Sequence, residues 1–379
     1  MRHLVLITTS YPLSNDGSEA AGSFVVDLAE SLAERVKVTV VAPGIETNLD
    51  RSRPNLTIQR FRASRQPLSL LKAYNPLHWY AILTTLNAGR AAVLQVVQKE
   101  SVDHILALWV LPSGYWAKNI ARRYNIPFST WALGSDIWSL GKIPVVKNIL
   151  KRVLQESCVN FADGFQLKED VEELSGRKCS FLPSTRKLYI PIEKKMSTKP
   201  PYRLAFLGRW HHNKGVDLLM DSLALLQESD WRRIQEVRIC GGGPMETQVK
   251  KGAATLKNQG RPVVVQGYLT KGEAVELLLW ADYVLIPSRI ESIPVIFSDA
   301  MKCMCPVVCM PVGDLPYLVR KYQVGVLAKE KTDHFFVIAL RQILEKSPQI
   351  FQTGLSQCAD SFDLGNIVQV LLAQESKFI

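Results

Sequence analysis

Short apolar runs alternate along this chain with longer segments of helical spacing. HLVLIT, KVTVVAP, DHILALWV and FSTWALGS are nearly continuous in apolar residues, as strands covered on both faces are. Between the first two lies FVVDLAESLAER, whose apolar positions recur at the interval of a helix with one buried side. This alternation predicts βαβ units around a parallel sheet. Across 183–203 the pattern fails, because PSTRKLYIPIEKKMSTKPPYR is rich in Pro, Lys, Ser and Thr and carries little apolar periodicity. A second alternating series then runs through RLAFLGR, GVDLLMDSLALLQES, EVRICGGGP, VVVQGYL, EAVELLLWA, DYVLIPS and PVVCMPV. The expected organisation is an α/β domain over 1–185, a linker over 186–202, a second α/β domain over 203–360, and a C-terminal segment over 361–379. In the last, FDLGNIVQVLLAQES has helical spacing and is expected to cross back to the first domain. Two α/β halves facing each other across a cleft are the predicted fold class.

Composition narrows the partners. A chain of 379 residues exceeds what a single core normally serves, in keeping with two domains. The net charge of +11 calls for an anionic partner, either phosphates on a substrate or an acidic membrane face. Nucleic acid is not expected, because no basic stripe interleaved with aromatics appears. There is no apolar run of about 20 residues to span a bilayer, and MRHLVLITTS reads as a first strand rather than a signal-peptide core. Seven cysteines, an odd number spread through apolar stretches, predict reduced thiols and a cytoplasmic protein. Cys303, Cys305 and Cys309 lack the further ligands of a zinc site and read as core packing. LSLLKAYNPLHWYAILTTL, with Lys72 and His78, and GKIPVVKNILKRVL, with Lys142, Lys147, Lys151 and Arg152, have the amphipathic character of elements that rest on anionic lipid. Peripheral contact with the inner membrane face is therefore an expectation.

The candidate chemistry concentrates in two loops. Residues 286–308 read as a strand, a polar loop and a helix whose unpaired first N–H groups and positive dipole end suit an anion. Glu291 is placed at the helix entrance and Asp299 eight residues on, about 12 Å apart along the axis if both are helical. Glycosidase carboxylate pairs sit about 5 to 9.5 Å apart, so the spacing suits two hydroxyl-binding groups at opposite ends of one nucleotide sugar. The second loop, GRWHHNKGVD, sets Arg209 and Lys214 before a helix, where cations are unfavourable beside the dipole unless an anion is resident. Together they would stabilise a departing diphosphate. No Asp-x-Asp pair is present to hold a metal on that diphosphate, and no metal or cofactor is expected. His211 and His212 contact phosphate or are ordinary loop residues. Gly241, Gly242 and Gly243 form a tight strand-to-helix turn near the nucleotide. Tyr268 lines a base pocket or packs at a rim. Gly22 lets the backbone come close to a ligand or simply starts a helix. Asp136, just after a strand, caps a helix or orients a substrate hydroxyl.

The ordered set GRxxxxKG, GGGP, QGYL, PSRIES with Asp299 eight residues after Glu291, and VGDLP resembles glycosyltransferase family 4, the large retaining family with the GT-B fold of two facing Rossmann-like domains. The resemblance covers nearly the whole chain and is strongest from Gly208 to Val319. It implies that Arg209 and Lys214 bind the donor diphosphate and that Glu291 holds hydroxyls of the transferred sugar. It further implies that amides near Ser292 and Ile293 meet phosphate, that Asp299 takes the ribose-binding position, and that Gly22 approaches the donor from the first domain. Gly208, Gly243 and Tyr268 complete the expected donor site, and Asp136 stands on the acceptor side. The implied reaction is metal-independent transfer of a hexose, with retention, from a nucleotide diphosphate sugar to a glycan or lipid-linked acceptor in cell-surface polysaccharide, lipopolysaccharide or glycolipid synthesis. Three residues depart from the family pattern: Asp299 stands for Glu, Leu133 for His and Met304 for Gly. They keep two alternatives open, a catalytically silent nucleotide-sugar-binding or partner protein, and a sugar-nucleotide epimerase or hydrolase.

Overall fold

The computed structural model describes residues 2–13, 22–64, 68, 71 and 75–375; Lys72 lies outside them. The chain divides into two compact units, the first built, among the described residues, from 2–13, 22–184 and Leu364 onward, the second from Thr185–Asp363.

In the first unit the strands are β1 (His3–Ile7), β2 (Lys37–Gly44), β3 (Asn48–Arg53), β4 (Leu56–Arg62), β5 (His104–Leu108), β6 (Phe128–Ala132), β7 (Val159–Ala162) and β8 (Cys179–Phe181). They form one sheet in the order β3-β4-β2-β1-β5-β6-β7-β8. All neighbours are parallel except β3, which returns antiparallel along β4. Successive residues of a strand point to opposite faces. Accordingly Val5 and Ile7 enter one core, with Ile105 and Ala107, while Leu4 and Leu6 enter the other, with Leu106 and Leu108. That double coverage is why β1 and β5 are buried at every position. The helices α1 (Ser23–Ala33), α2 (Trp79–Lys99), α3 (Tyr115–Tyr124), α4 (Ser135–Trp138), α5 (Pro144–Glu156) and α6 (Phe165–Ser175) complete the main chain of this unit. The β3–β4 hairpin, whose β3 is exposed throughout, was not among the expected elements.

The second unit carries β9 (Tyr202–Leu207), β10 (Ile234–Cys240), β11 (Val263–Gln266), β12 (Tyr283–Ile286), β13 (Val307–Cys309) and β14 (Gly325–Leu327). They form a wholly parallel sheet in the order β11-β10-β9-β12-β13-β14. Its helices are α7 (Val216–Ala224), α8 (Glu228–Trp231), α9 (Glu246–Asn258), α10 (Lys271–Trp280), α11 (Val295–Lys302), α12 (Leu315–Tyr322), α13 (Asp333–Leu344) and α14 (Gln352–Asp360). The last helix, α15 (Leu364–Glu375), returns to the first unit, where Leu364, Ile367, Val368 and Leu371 join the core beside Phe24, Val25 and Leu28 of α1. All seven cysteines are free, and all but Cys158 are buried.

Candidate donor site of the second unit

Strand order reverses between β9 and β12: the chain moves from β9 outward to β10 and β11, then returns beside β9 as β12 and proceeds the other way. In open α/β sheets the crevice at the carboxyl ends of such a strand pair collects ligands. Arg209 follows β9 and Glu291 follows β12, so topology alone brings the two candidate loops to one edge.

The loops are stitched together. Arg289 makes a two-pronged pair with Asp217 in the first turn of α7, at 2.7 and 2.9 Å. Its Nη1 also donates to the His212 carbonyl at 2.8 Å, and its amide to the Asn213 carbonyl at 2.8 Å. Burial pushes the Asp217 carboxyl up, but the Arg289 guanidinium outweighs it and the net shift is downward. Gly215 has φ +69°, and a Cβ there would lie 2.0 Å from the Pro287 carbonyl oxygen, so only glycine lets the loops approach this closely. Lys214 pairs with Glu291 across the same contact. Its three donors leave it able to serve a phosphate as well.

Glu291 is not on the helix. α11 begins at Val295 with Pro294 as its N-cap residue, because proline disfavours helical backbone in the residue before it. The expected 12 Å axial separation from Asp299 therefore does not describe this site. Glu291 instead sits on a loop held from behind, where Gly313 presses on the Glu291 and Ser292 carbonyls and the Asp314 amide donates to the Ser292 carbonyl at 3.0 Å. Ser292 and Ile293 are buried. The start of α11 has no side-chain cap, and the Ile293 amide donates to no described group, which leaves an anion-binding terminus.

Arg209 completes the edge. Its guanidinium makes no hydrogen bond or ion pair with any described residue, and its Cγ lies 3.3 Å from the position a Cβ would take at Gly243. The Gly208 amide donates to the Cys240 carbonyl at 3.1 Å, and the Trp210 amide to the Gly242 carbonyl at 2.8 Å, which joins this loop to the triple-glycine turn. Tyr268, 37% exposed, lays its ring against Gly242, where a Cβ would meet it at 2.6 Å. Trp210, which no motif singles out, is buried at the junction with its indole N–H unpartnered among the described residues. His211 accepts from the Asn213 amide through Nδ1 at 3.2 Å and so caps the turn His212–Lys214. Burial, then the neighbouring Arg209, His212 and Lys214 charges, lower its pKa in agreement with that acceptor role.

Three expected site residues stand elsewhere. Asp299 is fully buried, and its Oδ2 is engaged by Arg186. Gly22, in the first unit, packs against the Ser10 carbonyl, where a Cβ would come within 2.8 Å, so the chain itself requires glycine there. Asp136 is buried in the first unit and accepts three backbone N–H groups: Val110 at 2.7 Å, Leu133 at 3.2 Å and Ile137 at 3.2 Å. Burial raises its pKa against the pull of those donors, and the carboxylate acts as a brace for two loops.

Residues 191–354 match the family described as glycosyl transferases group 1. The chain is 27% identical over 301 residues to the putative teichuronic acid biosynthesis glycosyltransferase TuaC of Bacillus subtilis, covering 74% of this chain and 72% of that one. It is 30% identical over 175 residues to the D-inositol 3-phosphate glycosyltransferase of Corynebacterium aurimucosum, and there it spans 39% of the relative and 45% of itself. Among solved structures, sucrose-phosphate synthase from Thermosynechococcus elongatus superposes with a TM-score of 0.79 at 17% identity, covering 100% of this chain and 99% of that one. HepE of Anabaena in complex with UDP-glucose gives 0.72 at 15% identity, with both chains covered completely. The fold is that of the GT-B glycosyltransferases, and the sequence matches support a glycosyltransferase.

Proposed function

We propose that the protein is a metal-independent, retaining transferase that moves a hexose from a nucleotide diphosphate sugar to a glycan or lipid-linked acceptor of the cell surface. The observation that carries this reading is the unpaired Arg209 guanidinium beside the triple-glycine turn, on the same sheet edge as the Lys214–Glu291 pair and the uncapped start of α11. Arg209, Lys214 and the α11 amides take the diphosphate, and Glu291 holds hydroxyls of the sugar. The bond from the anomeric carbon to the phosphate oxygen breaks and the bond to the acceptor oxygen forms on the same face, the acceptor proton passing to the departing phosphate. A lipid-linked acceptor is favoured by the first turns of α2 and α5. Trp79, Tyr80, Leu83, Ile143 and Val145 are exposed there beside exposed Lys142 and Lys147, while the later turns of both helices enter the core. No described helix is long and apolar enough to cross a membrane, so such contact would be peripheral.

A thermal-shift panel of UDP-, GDP- and ADP-sugars, followed by product analysis with and without membrane lipid extract, tests the reading. Stabilisation by one nucleotide class with lipid-dependent release of its diphosphate is the expected result. Stabilisation without turnover under any acceptor identifies a silent binder instead, and free sugar or an epimer in the absence of acceptor identifies a hydrolase or epimerase.

A further inference from the structure

One side chain ties the loop after β12 to the loop after β9. Arg289, two residues before Glu291, reaches Asp217 in the first turn of α7, with Nη1 donating to Oδ1 at 2.7 Å and Nη2 to Oδ2 at 2.9 Å. Nη1 donates its second hydrogen to the His212 carbonyl, and the Arg289 amide donates to the Asn213 carbonyl, each at 2.8 Å. His212 and Asn213 belong to the turn that ends at Lys214, so every one of these bonds runs from the Glu291 loop to the Lys214 loop or to the helix behind it. The fork is sheltered, the Arg289 side chain being 25% exposed and that of Asp217 14%. It also stands among like charges: Asp221, one turn further along α7, has its pKa raised by burial and then by the Asp217 and Asp333 carboxylates, with Arg289 opposing.

We propose that the Arg289–Asp217 fork is a positioning device for the donor site, fixing the loop that carries Glu291 against the loop that carries Lys214 so that the sugar-holding carboxylate and the phosphate-holding cation keep one spacing. This rests on the donor-site reading above and concerns how that site is held rather than what it binds. Glu291 gains no rigidity from α11, which starts four residues later at Val295. From behind, Gly313 and Asp314 bear on the main chain at Glu291 and Ser292. The fork holds the loop from the other side. Two parallel bonds to one carboxylate fix a plane, where a single bond leaves the loop free to pivot. A misplacement of about 1 Å is enough to cost an enzyme a factor of 10². Arg289 itself spends three of its five donor hydrogens on the α7 side, so it is a positioning residue that acts through Glu291.

Calorimetric titration of the full chain with UDP-glucose, UDP-galactose, GDP-mannose and ADP-glucose, each beside its bare nucleoside diphosphate, reads this out on the tightest sugar form. Glu291→Ala is expected to weaken that form by about tenfold, the worth of a hydrogen bond to a charged group, and to leave the bare diphosphate within about twofold. Arg289→Met is expected to reproduce both results, and adding it to Glu291→Ala is expected to cost nothing more, as for residues that act as a unit. Arg289→Met alone strands Asp217 beside Asp221, so its thermal midpoint falls, whereas Arg289→Met with Asp217→Leu replaces the pair by apolar groups and recovers the midpoint. Arg289→Lys keeps the charge without the fork. In both of these the weakened binding of the sugar form is expected to persist. Parent-like affinity for the sugar form in the stable double variant means that the pair only stabilises the fold, and overturns the proposal. An equal loss for the bare diphosphate makes Arg289 a phosphate ligand and overturns it as well. Failure of every diphosphate to bind, or binding that Arg209→Ala leaves unchanged, removes the donor-site reading itself.

Discussion

Both units place a strand-order reversal at the centre of a parallel sheet, between β1 and β5 in the first and between β9 and β12 in the second, yet the two carboxyl edges use their polar groups differently. In the second, charged side chains face one another across loops and leave Arg209 unpaired among the described residues. In the first, the buried Asp136 carboxylate is occupied by its own backbone. The Val110 amide it holds follows Trp109, whose φ of +63° is unusual for a residue other than glycine. Trp109 packs on Phe24 at 6.3 Å, and Phe24 on Trp131 at 6.1 Å, so this edge is aromatic and braced. One fold thus yields an edge of charged loops and an edge of packed aromatic rings. The difference lies in what the strand-end loops are made of.

The comparison breaks most sharply at the charged edge. Arg209→Ala and Glu291→Ala are each expected to lower the transfer rate by about 10²-fold or more, the loss seen when a group stabilising a transition state is removed. Their thermal unfolding should stay close to the parent's, because neither side chain is in a core. Near-normal turnover in either variant, measured as product formed per enzyme, removes that residue from the site.

A second difference is what acid does to each unit. The first buries two histidines, His3 and His104, whereas the second buries none. His104 accepts or donates at Ser129 Oγ through Nε2 at 2.7 Å, and burial pulls its pKa down to about 4; His3 is lowered for the same reason. A histidine lowered on folding binds its proton in the unfolded chain first, so stability is full above about pH 6.5 and is lost as the pH falls through the window to about 4. From His104 the loss is on the order of 3 kcal/mol. Fluorescence-monitored urea unfolding between pH 7 and pH 4 should show the first unit losing stability before the second, and His104→Gln should flatten that dependence. Parallel loss in both units would show that burial of His104 does not set it.

The parts of this molecule that were legible in the sequence are those whose physics is local. Buried strands with apolar residues at every position, such as LVLI and YVLI, declare themselves. What failed depended on a neighbour. Glu291 looked helical by spacing, and Pro294 two residues past Ser292 delayed the helix. Strand β3 is exposed throughout and carries no apolar alternation to find. Arg186 sat in a segment read only as linker, and nothing short of the fold shows that it reaches Asp299, 113 positions away.

The smallest effect concerns a single dihedral. Met304 follows α11 and its C-cap residue Cys303, and has φ +52°. A helix commonly ends on a left-handed residue that glycine adopts without cost, and a side chain there is disfavoured by roughly 1 kcal/mol. The chain nevertheless turns at this point because β13 must begin at Val307 and pair with Val284, and the Cys305 amide reaches back to the Ala300 carbonyl at 2.8 Å. Met304→Gly is therefore expected to raise the stability of the second unit by about 0.5–1 kcal/mol, the relief of strain exceeding the added freedom of the unfolded chain. Denaturant midpoints of the two units, followed separately, test it: the second should rise while the first stays fixed. A lowered second midpoint would mean that the half-buried Met304 side chain contributes more by packing than its backbone costs.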